Sequence, residues 1–148
     1  MKIREATMAD FEELYAISAN TPEFVVSATE PFMDKDDFKL RINNPKHVFL
    51  LAEKNKKIVG FICINAKDIN SSIENKYACI VYVMVLPEFR KNGVAQMLYL
   101  ESEKILKNMG ITNIYSWANS EGDGGIINFF KKNGLVEGHK YVWMDKKL

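Results

Sequence analysis

The 148-residue chain predicts an α/β fold: a mixed, mostly antiparallel sheet flanked by helices. Three observations predict it. Apolar runs of strand length alternate with stretches of helical periodicity. Two such runs, His47–Glu53 and Ile58–Ala66, flank the short polar turn Lys54-Asn55-Lys56-Lys57, which reads as an antiparallel hairpin. Two later runs, Tyr77–Leu86 and Ile111–Ala118, are joined through a helix and therefore run parallel.

The elements follow in order. Lys2–Ala6 is a short strand. Thr7 with Asp10 three residues on resembles a capping box with Asp in place of Glu, and Phe11, Leu14, Tyr15 and Ile17 follow at helical spacing, so Met8–Ala19 is a helix. Asn20–Phe32 is a loop of mixed polarity with two prolines. Asp34 caps a second helix that ends at Ile42, with Phe38 and Ile42 on one face. After the hairpin, Asp68–Asn75 is a polar loop. Tyr77–Leu86 is the fourth strand, closed by Pro87, which cannot donate to a ladder. Val94–Met109 is the third helix, and Gly110 terminates it as the residue just past the cap. Ile111–Ala118 is a fifth strand and Gly124–Asn133 a fourth helix. Leu135–Met144 completes the sheet, divided near Gly138.

Composition narrows the function. Hydrophobic residues make up 47% and charged residues 26% of the chain, the proportions of an ordinary globular protein. A length of 148 residues predicts one domain, residues 1–148. The net charge of +1 argues for neither nucleic acid nor an anionic membrane as partner. No apolar stretch reaches transmembrane length, and the N-terminus lacks the apolar core of a signal peptide, so the expected location is cytoplasmic. Cys63 and Cys79 lie inside strand-like apolar runs and read as buried core cysteines of a reducing compartment. Two thiols do not make a structural metal site.

The most informative stretch is Arg90-Lys91-Asn92-Gly93-Val94-Ala95, between the fourth strand and the third helix. A strand, a short basic loop and a free helix N-terminus form an anion site, because the first helical N–H groups lack intrahelical partners. Gly93 and the small Ala95 keep side-chain bulk away, so an extended diphosphate fits against the amides. There is no G-K-[ST] tail, which argues against a P-loop.

The pattern R-x-x-G-x-A after a strand ending V-x-V-x-P resembles the acetyl-CoA-binding motif of the GNAT-type N-acetyltransferases. Ile3-Arg4-Glu5-Ala6-Thr7 with Asp10 resembles that family's first strand and helix cap, Val59-Gly60-Phe61 its third strand, and Phe129-Phe130-Lys131-Lys132-Asn133-Gly134-Leu135 its late helix-to-strand junction. The resemblance covers nearly the whole chain. It implies a sheet whose parallel central pair splays apart to take the pantetheine arm.

Carried residue by residue, the resemblance puts Arg90, Lys91, Asn92, Gly93, Val94 and Ala95 around the coenzyme diphosphate, mainly through backbone amides. Arg90 and Lys91 add charge-assisted bonds or, in the plainer reading, form a solvated basic loop. Val83 and Val85 turn main-chain groups to the pantetheine amides and acyl carbonyl, while their side chains serve the core. Asn119 contacts the arm or is a turn residue; counting back from Phe130 selects Asp123 for the contact instead.

Two departures concern catalysis. Phe130 stands where many members carry the tyrosine proposed to protonate the departing thiolate, and Cys79 and Val81 stand where members carry a glutamate base. A thiol pKa of about 8.5 makes the thiolate a fair leaving group without help. A lysine-like amine of pKa ~10.4, in contrast, is about 0.04% neutral at pH 7, a cost of about 4.6 kcal/mol. The candidates for acid are Tyr115, Tyr141 or a water. Those for base are Glu30 and Asp34 in the loop that lines the family's acceptor site. Their plain readings are core tyrosines, a solvated Glu30 and an Asp34 cap. His47 and His139 read as structural or surface residues.

The expected function is therefore CoA-dependent acetylation of a primary amine, on a small molecule or on a peptide or protein, by direct attack in a ternary complex with acetyl-CoA as co-substrate. A non-catalytic acyl-CoA-binding sensor or interaction module on the same fold is the alternative. A nucleotide-phosphate site is a third. An exposed C-terminal strand, Tyr141–Met144, is expected to permit a homodimer.

Overall fold

A computed structural model describes residues 1–30 and 32–148. Pro31, at the end of the predicted acceptor loop, lies outside the described residues. Five strands form one sheet in the order β1-β2-β3-β4-β5: β1 Lys2–Glu5, β2 His47–Lys54, β3 Lys57–Asn65, β4 Tyr77–Val85 and β5 Asn113–Ser116. The first three pairings are antiparallel, and β4 and β5 run parallel. Helices α1 Phe11–Ala19 and α2 Lys35–Asn43 cover one face, where Phe11, Leu14 and Phe38 pack on Phe49, Phe61, Cys63 and Met84. Helices α3 Val94–Asn108 and α4 Gly125–Lys132 cover the other, through Val94, Leu98, Leu106 and Phe130. None of the described helices is long and apolar enough to cross a membrane.

The hairpin turns on Asn55 and Lys56, with φ of 52° and 63°. Two left-handed residues in a two-residue loop match the twist of the flanking strands. At the N-terminus the capping box forms: Asp10 Oδ2 accepts from Thr7 N–H at 2.8 Å and from its hydroxyl at 3.0 Å. Asp10 also takes a fork from Arg4 at 2.9 and 2.8 Å, and Arg4 reaches Glu53 on β2 at 3.0 Å. Met8–Asp10 forms a 3-10 turn, so the α-helix starts at Phe11, later than expected.

The predicted fifth strand shrinks to Asn113–Ser116. Gly110 closes α3 with φ 79°, its N–H bonding Lys107 O while Ile111 N–H bonds Leu106 O, each at 3.0 Å. This Schellman cap uses Ile111, and Thr112 and Asn113 then join Lys76 O.

The last predicted strand, Leu135–Met144, does not form. Gly134 and Leu135 are spent on the matching cap of α4, and the polar run Glu137-Gly138-His139-Lys140 follows. Val136, Val142 and Met144 are 92%, 85% and 89% exposed. The tail is held by side chains instead. Asp145 accepts from Ser27 Oγ at 2.7 Å, from the Thr29 hydroxyl and from Trp143 Nε1, and Tyr141 meets Trp117 edge to face at 5.5 Å. The Tyr141–Met144 strand expected to pair subunits is therefore absent.

Candidate functional site

The site begins where β4 and β5 separate. Their register runs from Tyr77↔Asn113 to Ile80↔Ser116 and stops, while β4 continues to Val85. Ser116 ends the ladder by donating its hydroxyl to Ile80 O at 2.9 Å. One residue later β4 bulges. Ile64 pairs with Ile80 and Cys63 with Tyr82, so Val81 is the extra residue of a bulge, which bends a strand and sharpens its twist. The open edge thus runs from Val81 to Val85.

Main-chain direction along that edge follows from two bonds. Leu86 N–H reaches Val59 O on β3 at 3.0 Å. Successive strand residues present N–H and C=O to alternate edges, so Val85 and Val83 turn theirs to the open side. Arg90 Nε indeed donates to Val85 O at 3.0 Å. The side chains of Val83 and Val85 pack against the α3-side core.

At the far end of this edge lies the Arg90–Ala95 loop. Gly93 caps α3 with φ 76°, and Met97 N–H bonds its carbonyl at 3.0 Å. Among the described residues, the amides from Lys91 to Gln96 have no main-chain acceptor. A Cβ built on Gly93 meets nothing within 4 Å, so the ground before the amides is open. Lys91 has φ 62° despite its side chain; non-glycine residues in this region cost about 1–3 kcal/mol and cluster at ligand clamps. Val94 is 1% exposed and anchors the first turn in the core, Ala95 is half-buried, and Lys91 and Asn92 are exposed. Gly60 makes this close packing possible: a Cβ there would stand 2.7 Å from Met84 O and 3.3 Å from Val94 Cγ1.

Of the predicted catalytic candidates, Tyr115 stands nearest the parting of the strands. It pairs with Cys79 one step before the last register pair, and its ring meets Tyr77 edge to face at 6.3 Å. Burial, then Cys79, holds its hydroxyl above the usual tyrosine range. Lys67 Nζ lies 5.4 Å from its ring centre. The other candidates stand as follows. Asp34 Oδ1 caps α2 through Asp36 N–H at 2.8 Å. Glu30 is exposed, with its N–H on Ser27 Oγ. Tyr141 is in the tail, 71% exposed. Asn119 is exposed and its Oδ1 accepts from Glu121 N–H at 2.8 Å, the turn arrangement; Asp123 Oδ1 takes Gly125 N–H at 2.8 Å. Phe130 is 6% exposed and belongs to the core.

Cys63 is buried as expected, and burial pushes its thiol up to about 12. Cys79 is only half-buried, because it faces α2 beside the opening between β4 and β5. His47 is half-buried; burial and then the Arg41 charge hold its ring down to about 4.

The profile of the Acetyltransferase (GNAT) family matches residues 10–135. The chain belongs to this family. As a GNAT chain it has relatives of known fold. A PaiA N-acetyltransferase from Thermoplasma acidophilum, solved with coenzyme A, superposes with TM-score 0.75 at 21% identity, over 94% of this chain and 92% of that one. An aminoglycoside acetyltransferase, AAC(6')-Iy, solved with a CoA bisubstrate analogue, gives TM-score 0.75 at 17% identity over 99% and 98%. Among curated proteins, an uncharacterised N-acetyltransferase of Methanocaldococcus jannaschii is 28% identical over 100 residues, which is 68% of this chain. The GNAT chain spans 44% of that relative's length.

Three residues take places in the fold that their sequence surroundings do not announce. Val81's bulge leaves no compositional mark. Glu23 sits in the predicted loop, and only folding brings its carboxylate within 3.5 Å of Arg90 Nη2. Arg41 occupies an ordinary helical position four residues after Asp37, the spacing of a helical ion pair, and only the fold shows Arg41 turned to Met33 and His47 instead.

Proposed function

We propose that the protein transfers an acetyl group from acetyl-CoA to a primary amine by direct attack within a ternary complex. One observation carries the reading: a strand edge that opens at Ile80/Ser116 and leads, along the outward main-chain groups of Val83 and Val85, to the free amides at the α3 N-terminus. An extended pantetheine arm ending in a diphosphate matches that shape. The family membership and the CoA-bound neighbours support it.

In this reading the diphosphate lies on the amides past Arg90, where the helix dipole favours negative charge. The β4 main chain aligns the thioester, and an N–H on that edge stabilises the developing oxyanion, a contribution of roughly 3–4 kcal/mol where it has been measured by deletion. The amine nitrogen forms a bond to the thioester carbon, and the C–S bond breaks. The nitrogen loses a proton and the sulfur gains one, leaving amide and free thiol. Tyr115 is the proposed proton donor to sulfur. Its raised pKa keeps it protonated at neutral pH, and Phe130 carries no proton to give.

The test has two arms. Calorimetry detects binding of CoA, and Gly93→Glu, which sets a carboxylate before the amides, weakens it at least about 100-fold by like-charge exclusion. Incubation with acetyl-CoA and an amine panel releases thiol. Absence of heat with CoA, or an unaffected Gly93→Glu variant, sinks the reading. CoA binding without thiol release on any amine converts it to the acyl-CoA-binding module.

A further inference from the structure

A polar cavity between α2 and the end of β2 holds an unmatched cation. Arg41, half-buried on α2, donates Nε toward Met33 Sδ at 3.1 Å and sets Nη1 3.3 Å from His47 Nε2. Both partners are uncharged, since burial holds His47 neutral above about pH 4. Among the described residues no carboxylate lies within 4.0 Å of the guanidinium. Every other arginine of the chain, Arg4 and Arg90, has an acidic partner. A cavity of about 400 Å³ opens on this group, lined by Met33, Asp37, Arg41, Asn44, His47 and Asn65.

The cavity connects to the proposed reaction centre along one row of the sheet. His47 pairs with Asn65, Asn65 with Cys79, and Cys79 with Tyr115. His47 follows the face of Phe49, and Asn65 that of Cys63, so the row faces α1 and α2. With strands about 4.8 Å apart, the Arg41–His47 end stands about 10 Å from Cys79.

Resting on the acetyl-transfer reading above, we propose that Arg41 binds a carboxylate of the acceptor, so that the substrate is an amine that also carries a carboxylate several bonds away. A guanidinium fork is built for a carboxylate and is the group most weakly penalised for standing half-dry. Asn44 and Asn65 supply further donors. Asp37 lines the same cavity one helical turn before Arg41, exposed and outside ion-pair distance. A site with one cation and one anion suits a ligand bearing both signs. The span of about 10 Å excludes a plain α-amino acid acetylated at its α-nitrogen and fits an ω-amino acid or a lysine side chain beside a free carboxylate.

The test compares ω-amino carboxylates, from 4-aminobutanoate to 8-aminooctanoate, with n-alkylamines of matching length, by thiol release and by calorimetry with CoA present. The expected result is a kcat/KM at least tenfold higher for the carboxylate form at one or more lengths, collapsing to within twofold in Arg41→Gln and partly kept in Arg41→Lys. Circular dichroism and melting check that the variants fold. Should Arg41→Gln not fold, Asn65→Asp adds a negative charge to the same cavity and raises KM for the carboxylates alone. Equal use of both series by the wild type, or a preference that survives Arg41→Gln, overturns the proposal and leaves acetyl transfer standing. If no amine is acetylated, 6-aminohexanoate binding still decides: heat lost in Arg41→Gln supports it, and no heat overturns it.

Discussion

Arg90 Nε donates to the carbonyl oxygen of Val85 across 3.0 Å, and its Nη2 stands 3.5 Å from Glu23. One side chain thus joins the anion loop, the open edge of β4 and the loop after α1. The bond uses a carbonyl that the proposed pantetheine arm would meet, so coenzyme entry requires Arg90 to swing from Val85 toward the diphosphate. Arg90→Gln is expected to weaken CoA about three- to tenfold at low salt, by loss of a charge-assisted bond at a half-exposed position. Screening should shrink the gap near 0.5 M salt. Calorimetry at two ionic strengths checks it; a salt-independent difference would make Arg90 a purely structural tie.

Gly60 should tolerate no side chain. A Cβ would stand 2.7 Å from Met84 O, which is backbone, and 3.3 Å from Val94 Cγ1. Gly60→Ala is expected to cost about 1–3 kcal/mol, the range for overpacking a filled core, and to lower the melting temperature by roughly 3–10 °C. A melt within 1 °C of wild type, about the shift a few tenths of a kcal/mol would give, refutes it.

Acid should destabilise the fold in two stages. His47 is lowered from 6.5 to about 4 on folding, by burial first and the Arg41 charge second. A group so lowered lends stability above its ordinary value and gives it up as pH falls from about 6.5 to 4. For a half-exposed ring this is on the order of 1 kcal/mol after screening. Asp10 is lowered from 3.8 to about 2 by the Arg4 fork, against the opposing effect of burial, and gives up about 2 kcal/mol as pH falls from about 4 to 2. Urea midpoints against pH should flatten in the upper window in His47→Gln and in the lower one in Asp10→Asn.

Tyr115→Phe tests the proposed proton donor. General-acid help is worth about 10²–10⁴-fold, and a good thiolate leaving group puts the effect at the low end. A fall in kcat of about 10²-fold with KM for CoA little changed is expected, together with loss of the alkaline limb of the kcat profile. An unchanged kcat with a surviving alkaline limb removes Tyr115 from the mechanism.

The elements legible in the sequence were those with local causes. Pro87 and Gly93 bracket the loop at the edge of α3, Gly110 ends that helix, and Asn55-Lys56 turns the hairpin. The helix between the fourth and fifth strands made them parallel. What was not legible depends on partners distant in the chain. Leu135–Met144 has strand-like composition, but the cap of α4 takes its first residue and the ladder of β5 ends at Ser116. Arg4 reads as one charge in a short strand; Asp10 and Glu53 complete its network only on folding. Arg41 carries no signal until the fold withholds a carboxylate from it.

Val81 acts as a phase shift in the alternation of β4. Before it, odd-numbered Cys79 faces α2; after it, even-numbered Tyr82 and Met84 do. Excising that one codon would leave an evenly alternating strand in which Tyr82 follows Ile80 directly, so Tyr82 and Met84 would keep the α2 side, Val83 and Val85 the α3 side, and only the bend would be lost. A relative one residue shorter at this point would therefore carry the same two linings on a straighter strand.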